Sequence, residues 1–256
     1  MTQIMARIIS VVNQKGGVGK TTTTINLASY LAELGKRVLV IDIDPQGNAS
    51  SGFGIDQKKL KKGLYEVLID PNTKITEVVR AHQDNLHVLP STPDLAGAAI
   101  DLVNQPSREY RLRENLNDIL DLYDFILIDN PPSLGLLTIN GLVAASEVLI
   151  PVQCEYYALE GLSQLLSTID LIKQHLQPEL KILGAVMTMH DSRNKLSRAV
   201  FDELYQHFPN RIFRSVIPRN VRLAEAPSYG KPIKEYDKHS AGAKAYRRLA
   251  QEIILS

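Results

Sequence analysis

Short apolar runs alternate with amphipathic segments along most of the chain, and this alternation predicts the fold class. Several runs, such as residues 38–41 and 125–128, are nearly continuous stretches of apolar residues. Parallel strands that are covered on both faces have this composition. Strands that alternate with helices through right-handed crossovers predict an α/β fold, with a mostly parallel twisted sheet and helices on both faces.

The pattern predicts individual strands and helices as follows. The predicted strands are residues 8–12, 37–42, 86–89, 125–129, 147–152, 181–187 and 211–216. The predicted helices include residues 21–34, 94–104, 108–122, 159–176, 195–207 and 241–255. Gly35 is typical of a residue that ends a helix. Because no repeat, low-complexity tract or flexible linker interrupts the pattern, we expect residues 1–256 to form a single domain.

Composition places the chain among ordinary globular proteins, with 44% hydrophobic and 22% charged residues in a length of 256. No run approaches the roughly 18 apolar residues that a membrane span needs. The first residues lack the apolar core of a signal peptide, which predicts a cytoplasmic location. The single cysteine, Cys154, excludes an intramolecular disulfide and an all-cysteine metal site within one chain. We expect it to be a small buried apolar residue.

Charge is distributed unevenly although the net charge is only +1. Residues 190–256 contain 13 Lys or Arg and 7 Asp or Glu, whereas the rest of the chain contains 16 and 21. This asymmetry is what a basic, nucleic-acid-binding surface on the C-terminal part would produce. A solvated charged surface without a ligand would give the same count, so charge alone leaves both interpretations open.

Residues 13–22, with the sequence Asn-Gln-Lys-Gly-Gly-Val-Gly-Lys-Thr-Thr, lie between the first predicted strand and the first predicted helix. Glycines allow a tight turn whose N–H groups point at phosphate oxygens, and the helix N-terminus adds further donors. In such a phosphate-binding loop, Lys20 reaches the β- and γ-phosphates and the Thr21 hydroxyl ligates Mg²⁺. The run departs from the standard pattern because Gln14 replaces its first glycine and Lys15 adds a second lysine.

Two carboxylates follow predicted strands at the edge of the sheet where ligands bind in such folds. Asp129 ends an apolar strand, and nucleotide hydrolases use such a residue to hold the Mg²⁺ shell through water. A role in capping the following turn is the alternative. Asp44 is placed to orient an attacking water, whereas we expect Asp42 to be structural or to act behind the site.

Together these motifs resemble the ParA/Soj family of DNA-partitioning ATPases. This family belongs to the deviant Walker A class of P-loop NTPases, with MinD and the nitrogenase iron protein. The resemblance covers nearly the whole chain, and it is carried by residues 13–22, 42–48, 129–140, 151–161 and 217–227. One departure is Asn130, at a position where many family members have cysteine, and it leaves Asp129 intact.

The resemblance implies a Mg²⁺-dependent ATPase that forms an ATP-sandwich homodimer. Lys15, Lys20 and Asp44 are the implied catalytic residues, and Lys15 crosses to the nucleotide of the second subunit. The implied nucleotide-binding residues are Lys15, Gly16, Gly17, Val18, Gly19, Lys20, Thr21, Thr22, Pro218 and Asn220. Thr21 and, through water, Asp129 are implied at the metal.

The resemblance also implies macromolecular partners. The dimer would bind double-stranded DNA without sequence preference through Arg193 and Arg222, and a ParB-type centromere-binding protein would stimulate hydrolysis. Such a protein is associated with the nucleoid.

Four other functions remain as alternatives. A MinD-like, membrane-associated ATPase would use an amphipathic C-terminal helix, but packing of residues 241–255 against the sheet is the expectation we favour. An iron–sulfur reductase of the nitrogenase type needs two cysteines per subunit, which Cys154 alone cannot supply. A small-molecule ligase or kinase needs a second polar pocket, and a nucleotide switch would bind ATP without turnover.

Overall fold

A parallel sheet lies at the centre of the molecule. The computed structural model describes residues 6–154, 161–191, 204–205, 208 and 211–256. Within them, seven strands form one sheet in the order β3-β4-β2-β5-β1-β6-β7. The strands are β1 (Arg7–Val11), β2 (Val38–Asp42), β3 (Arg80–Gln83), β4 (Leu86–Leu89), β5 (Phe125–Asp129), β6 (Glu147–Gln153) and β7 (Lys181–Thr188). All neighbours are parallel except β3 and β4. The predicted α/β fold is therefore confirmed.

Helices cover both faces of this sheet. They are α1 (Lys20–Glu33), α2 (Asn48–Gly52), α3 (Leu64–Ile69), α4 (Ile75–Val78), α5 (Ala98–Asp101), α6 (Arg111–Leu116), α7 (Leu136–Ala144), α8 (Leu162–His175), α9 (Val221–Glu225), α10 (Ile233–Asp237) and α11 (Ala241–Leu255). Short 3₁₀ helices span Gln57–Lys59, Pro93–Gly97, Leu120–Leu122 and Ala226–Tyr229. Helices α1, α10 and α11 contribute to the core on one face, and α3 to α8 to the core on the other.

Burial on both faces explains the continuous apolar runs. In β2, Val38 and Val40 belong to the core beneath α1 and α11, whereas Leu39 and Ile41 belong to the opposite core. Successive side chains of a strand point to opposite faces, so a strand covered on both sides has no position that favours a polar residue. Central strands were therefore the easiest elements to predict.

The C-terminal helix packs onto the sheet as expected. Helix α11 has the predicted bounds, and its apolar residues Ala245, Leu249 and Ile253 are buried in the same core as α1. The Tyr246 hydroxyl lies 3.2 Å from the Thr23 hydroxyl of α1, which joins the two helices through a polar contact. No helix in the described ranges has the length and apolar composition to cross a bilayer.

The strand predicted at residues 211–216 is wrong. Among the described residues, this segment pairs with β7 at one isolated bridge, Ala185 with Ile212, and the next isolated bridge, His190 with Pro218, lies beyond both segments. Between the bridges, the backbone N–H groups of Arg214 and Ser215 donate to the Glu252 carboxylate at 2.7 and 3.0 Å. Donors that are used by a side chain cannot extend the ladder of hydrogen bonds that defines a strand.

Other differences concern shorter elements. Residues 94–104 and 108–122 form short α- and 3₁₀-helical turns, and Ser107, with φ of 51°, separates the two segments. Strand β3 was not predicted because its sequence, Arg-Ala-His-Gln, has no apolar run. Most of the helix predicted at residues 195–207 lies outside the described residues. Gly35 has φ of 82°, as expected for a helix-ending glycine, and Cys154 is buried, also as expected.

Candidate active site

The glycine-rich loop between β1 and α1 is held by neighbouring strands. Asn13 donates from Nδ2 to the Pro151 carbonyl at 2.8 Å, and the Thr188 hydroxyl donates to the Val18 carbonyl at 2.7 Å. Gly19 precedes α1 with φ of 89° and ψ of 26°, a left-handed conformation that favours glycine. These contacts fix the loop at the carboxyl edge of β1, where its amides and the start of α1 face a common cleft.

Lys20 is a buried cation at the first turn of α1. Its side chain is only 7% exposed, and Nζ donates to the Lys15 carbonyl at 3.3 Å. Burial lowers the pKa of Lys20, and the nearby carboxylates of Asp129 and Asp44 oppose this effect. An ammonium group that is held out of water and makes one long hydrogen bond within the described part of the chain can bind an anionic ligand such as a phosphate.

Asp129 ends β5 directly beneath the first turn of α1. Its carboxylate accepts hydrogen bonds from the hydroxyls of Thr21 at 2.7 Å and Thr24 at 3.0 Å. These bonds connect it to α1, whereas the turn-capping alternative would need bonds to the segment that follows Asp129. Burial raises the pKa of Asp129, although the two threonine hydroxyls act in the opposite direction.

The donor atoms at this point fit magnesium. Thr21 Oγ1 and the Asp129 carboxylate are hard oxygen donors, which Mg²⁺ prefers. The described residues contain no cluster of three or more His, Cys, Asp or Glu side chains suited to a metal. A cluster is not needed, because magnesium in nucleotide sites takes one or two side chains and completes its shell with phosphate oxygens and water.

Asp44 lines the same cleft, in the segment between β2 and α2. Its Oδ1 accepts the N–H of Gln46 at 2.9 Å, which fixes the carboxylate within a turn closed by a bond from Gly47 N to Asp44 O. Asp42 is fully buried behind it, as expected, and its carboxylate binds Ser50. The two residues therefore have different environments although only one residue separates them.

Two adjoining cavities provide room for a ligand that has a polar part and a planar part. A cleft of about 630 Å³ is lined by the loop and its surroundings, including Gly16, Gly17, Gly19, Lys20, Thr21, Thr22 and Asp44. A cavity of about 220 Å³ is lined by Pro218 and Asn220 among others, and it shares Gly19, Thr22 and Met189 with the cleft. The structure thus brings Pro218 and Asn220 close to the cleft-lining residues of the glycine-rich loop.

Some residues behave differently from the rest of the candidate set. The Val18 side chain is buried, so only the backbone N–H of this residue can donate to a phosphate. Lys15 is half-buried and is not among the described residues that line the cleft. Met189, with φ of 51°, lines both cavities and was missed by sequence reasoning. An isolated methionine after a strand carries no chemical signal, although a strained backbone is common at functional sites.

The two candidate DNA-binding arginines cannot be treated alike, because Arg193 lies outside the described residues. Arg222 is in α9, between Asn220 and Leu223, which both line the smaller cavity. Its exposed guanidinium pairs with Glu225 at 3.0 Å and with Asp237 at 3.6 Å.

Comparison with known proteins identifies the family. A family model described as an AAA domain matches residues 6–182. The sporulation initiation inhibitor protein Soj of Bacillus subtilis (strain 168) is 53% identical over 249 residues, which cover 97% of this chain and 98% of the relative. The chromosome partitioning protein ParA of Myxococcus xanthus (strain DK1622) is 53% identical over 251 residues, which cover 98% of this chain and 88% of the relative.

The chain belongs to the ParA/Soj family of chromosome-partitioning ATPases.

Solved structures of nucleotide-bound proteins share the fold. A structure of cobyrinic acid a,c-diamide synthase from Mycobacterium smegmatis, with bound ATP analogue and magnesium, is 38% identical with a TM-score of 0.87. The aligned region covers 97% of this chain and 94% of the chain in that structure. The septum site-determining protein MinD from Pyrococcus horikoshii, complexed with Mg-ADP, is 29% identical with a TM-score of 0.80, and the coverage is 97% and 96%.

In this ParA/Soj chain, the segment that follows Asp44 packs against a turn that lines the cleft. Gly54 and Gly230 meet backbone to backbone, both with positive φ, of 76° and 62°. A Cβ on Gly230 would lie 2.7 Å from the Gly54 Cα. Gly230 ends the 3₁₀ turn Ala226–Tyr229, whose Pro227 and Ser228 line the cleft.

Gly230→Ala is expected to destabilise the protein by about 2–4 kcal/mol, because a left-handed conformation and a backbone clash both oppose the methyl group. Gly35→Ala is the matched control, since Gly35 also has positive φ but a Cβ there meets nothing within 4 Å. Its cost should be about 1–2 kcal/mol, the conformational part alone. Urea denaturation of both variants measures the difference. Equal losses would show that the contact with Gly54 is unimportant.

Proposed function

We propose that this partitioning ATPase binds ATP and Mg²⁺ in the cleft, pairs with a second copy across the nucleotide, and then binds double-stranded DNA without sequence preference. A ParB-type partner stimulates hydrolysis and returns the protein to free monomers. The cycle positions chromosomal or plasmid DNA, and the ATP-bound protein is cytoplasmic and associated with the nucleoid.

Each end of the nucleotide has suitable groups. The amides of Gly16, Gly17 and Gly19 and the Thr22 side chain serve the phosphates, together with the buried ammonium of Lys20. The adenine occupies the smaller cavity beside Pro218 and Asn220, while Thr21 and Asp129 hold the metal shell. Bound Mg²⁺ neutralises charge on the phosphate oxygens. Asp44, which also lines the cleft, orients the attacking water.

Lys15 serves the neighbouring subunit in this proposal. The Lys15 carbonyl accepts a hydrogen bond from Lys20 Nζ, and Lys15 is not among the described residues of the cleft lining. A lysine on the rim of one cleft can reach the γ-phosphate in a facing copy, where it neutralises developing charge as an arginine finger does. ATP would then hold the two subunits together better than ADP.

The observation that carries the DNA-binding part is the position of Arg222. It lies two residues after Asn220 and one before Leu223, and both of these residues line the smaller cavity. One short helix and its N-cap residue therefore contribute both to the nucleotide site and to a basic surface group. Arginine contacts to phosphates give affinity without reading bases. A dimer presents each basic group twice, which raises the affinity of a weak surface through multivalency.

A DNA mobility-shift assay with ATP, ADP and no nucleotide tests the proposal, with sedimentation velocity on the same samples. DNA binding and dimer formation that both require ATP are the expected results. Equal DNA binding in all three states would refute the cycle. Phosphate release, measured with and without DNA and a ParB-type partner, separates a turning-over ATPase from a nucleotide switch.

A MinD-like, membrane-associated function is the alternative. Such a protein needs an amphipathic helix whose apolar face is available to lipid. The apolar face of α11 is instead buried against α1 and the sheet, which disfavours this use of the helix. Sedimentation with liposomes in the presence of ATP distinguishes the two functions, since strong lipid binding without DNA binding would favour the alternative.

Substitutions at Arg222 and Glu225 are expected to change DNA affinity in opposite directions. Arg222→Ala removes one phosphate contact per subunit, so affinity should fall about tenfold and the salt dependence should become shallower. The Arg222 hydrogen bond holds the pKa of Glu225 below its usual range, so this carboxylate is charged at neutral pH. Glu225→Gln therefore removes a competing anion, and affinity should rise about threefold.

Filter binding at two salt concentrations with saturating ATP measures both effects. Arg37→Ala is the matched control because Arg37 is also exposed and paired, with Asp124 at 2.8 Å. Arg37 lies at the amino-terminal ends of the parallel strands, whereas the cleft lies at their carboxyl ends. If Arg37→Ala and Arg222→Ala weaken binding equally, the effect comes from net charge and the assigned surface is wrong.

A further inference from the structure

A buried chain of hydrogen bonds runs behind the cleft, from the end of β4 to Asp42. The backbone N–H of Ser91 donates to the Ser50 hydroxyl at 3.0 Å. The Ser50 hydroxyl in turn donates to Asp42 Oδ2 at 2.7 Å, and the Ser50 N–H donates to the same oxygen at 2.7 Å. Ser50, Ser91 and Asp42 are all completely buried, so water cannot replace any of these bonds.

The chain continues to the carboxylate that faces the cleft. The other oxygen of Asp42, Oδ1, accepts the backbone N–H of Asp44 at 3.3 Å. Two residues further on, the N–H of Gln46 holds the Asp44 carboxylate. The backbone of Asp44 is therefore attached to Asp42, and the orientation of Asp42 is determined by two donors from Ser50.

Charge makes the Ser50 bonds important. Asp42 and Asp129 are paired residues of the neighbouring strands β2 and β5, and both carboxylates are completely buried. Burial and the neighbouring Asp129 both disfavour the charged form of Asp42 and raise its pKa well above the usual range, whereas the two hydrogen bonds from Ser50 act in the opposite direction. Donation of an O–H and an N–H to Oδ2 of Asp42 favours the charged carboxylate and holds it in one orientation.

We infer that Ser50 is a positioning residue for ATP hydrolysis: through Asp42 it fixes the backbone of Asp44 and thereby the direction of the Asp44 carboxylate in the cleft. This inference rests on the proposed role of Asp44. Ser50 does not line the cleft and contacts no phosphate in the arrangement proposed above. Its removal should therefore affect the chemical step and leave nucleotide binding intact.

Ser50→Ala tests the inference in the full-length chain. We expect kcat for ATP hydrolysis to fall about tenfold, because a small displacement of a water-orienting group has a large effect on rate. KM for ATP and the affinity for a fluorescent ATP analogue should stay within about twofold. Rates are expressed per nucleotide-binding site, so that an inactive fraction does not count.

Ser29→Ala is the matched control. Ser29 is also completely buried, in α1, but in the part of the chain that the structure describes its hydroxyl has no hydrogen-bond partner. Both variants lose one buried hydroxyl, and only one of them loses the connection to Asp42. If the two variants have the same kcat, or if Ser50→Ala raises KM as much as it lowers kcat, the inference is overturned.

Asp42→Asn provides a second route to the same result. Asparagine has nearly the same volume as aspartate, but one of its two terminal atoms is a donor, so it cannot accept from both Ser50 and Asp44 N–H. We expect a similar loss in kcat, and the double variant Ser50→Ala/Asp42→Asn should be no slower than Asp42→Asn alone, because both act on one chain of bonds. Additive losses would refute the connection. Failure of both single variants to bind nucleotide would make the chain purely structural and would also overturn it.

Asp44→Ala is measured in parallel to separate the two hypotheses. If Asp44→Ala hydrolyses ATP normally, the proposed role of Asp44 fails and the inference about Ser50 fails with it. If Asp44→Ala is inactive while Ser50→Ala behaves like Ser29→Ala, only the inference about Ser50 is wrong.

Discussion

Lys20→Ala is expected to lower the affinity for ATP at least 100-fold. Lys20 is the buried cation of the cleft, and its pKa responds to both Asp44 and Asp129. Without it, phosphates would approach Asp44 and Asp129 without the ammonium group that offsets their charge, and the loop amides and Mg²⁺ would have to compensate. Charge-assisted bonds to a phosphate are among the strongest polar contacts, and at this position they are shielded from water. Fluorescence titration with an ATP analogue measures the loss.

The same substitution should leave the ligand-free protein folded. Burial lowers the pKa of Lys20, so holding its charge opposes folding when no phosphate is present. We therefore expect the Tm of Lys20→Ala without nucleotide to equal or exceed that of the wild type. Addition of ATP should raise the Tm of the wild type, because ligand binding stabilises the folded state, and should not raise that of the variant.

Two controls complete this test. Lys74→Ala removes an exposed lysine outside the cleft and should behave as the wild type. Lys15→Ala should retain ATP binding by the monomer and lose ATP-dependent dimer formation. If Lys20→Ala binds ATP within a factor of five of the wild type, the cleft does not hold the phosphates as proposed.

Prediction of the fold from sequence succeeded where strands are completely buried. It failed where a polar side chain forms hydrogen bonds with backbone N–H groups. Strands β2 and β5 are buried on both faces, so their composition alone identifies them. Residues 211–216 also contain apolar residues, Ile212, Phe213 and Val216, but Glu252 of α11, distant in sequence, accepts two N–H groups of this segment. Sequence patterns do not contain this tertiary contact. Strand β3 was missed for the converse reason, since it is a polar edge strand that pairs only with β4.

The residues of the site also fall into two groups, those that the sequence identifies and those that only the structure identifies. Lys20, Thr21 and the glycines lie in one continuous motif, and their positions follow from the strand–loop–helix layout. Thr188, Met189 and Ser50 come from other parts of the chain and reach the site only through folding. Serine, threonine and methionine are common residues without a distinctive spacing here, so only the structure could single them out.

Asp44→Ala is expected to lower the rate of ATP hydrolysis at least 100-fold while ATP still binds. Phosphoryl transfer depends on positioning of the nucleophile and on charge stabilisation, and Asp44 is the cleft-lining carboxylate in the segment after β2. With hydrolysis blocked, the ATP dimer should persist and remain on DNA. Single-turnover phosphate release measures the first effect, and the lifetime of the complex after dilution into competitor DNA measures the second.

The reason for the loss can be resolved with a second substitution at the same residue. Asp44→Asn retains an oxygen that can accept the Gln46 N–H, so it preserves the turn while removing the charge. If the charge orients water, both variants should be slow. If the carboxylate only maintains the turn, Asp44→Asn should hydrolyse ATP nearly as fast as the wild type, and the assigned role would then be wrong. Asp84→Ala should leave both measurements unchanged. It removes an exposed carboxylate from the β3–β4 turn, at the amino-terminal end of β4 and away from the cleft. Only loss in both Asp44 variants, with Asp84→Ala unaffected, supports a direct action on the attacking water.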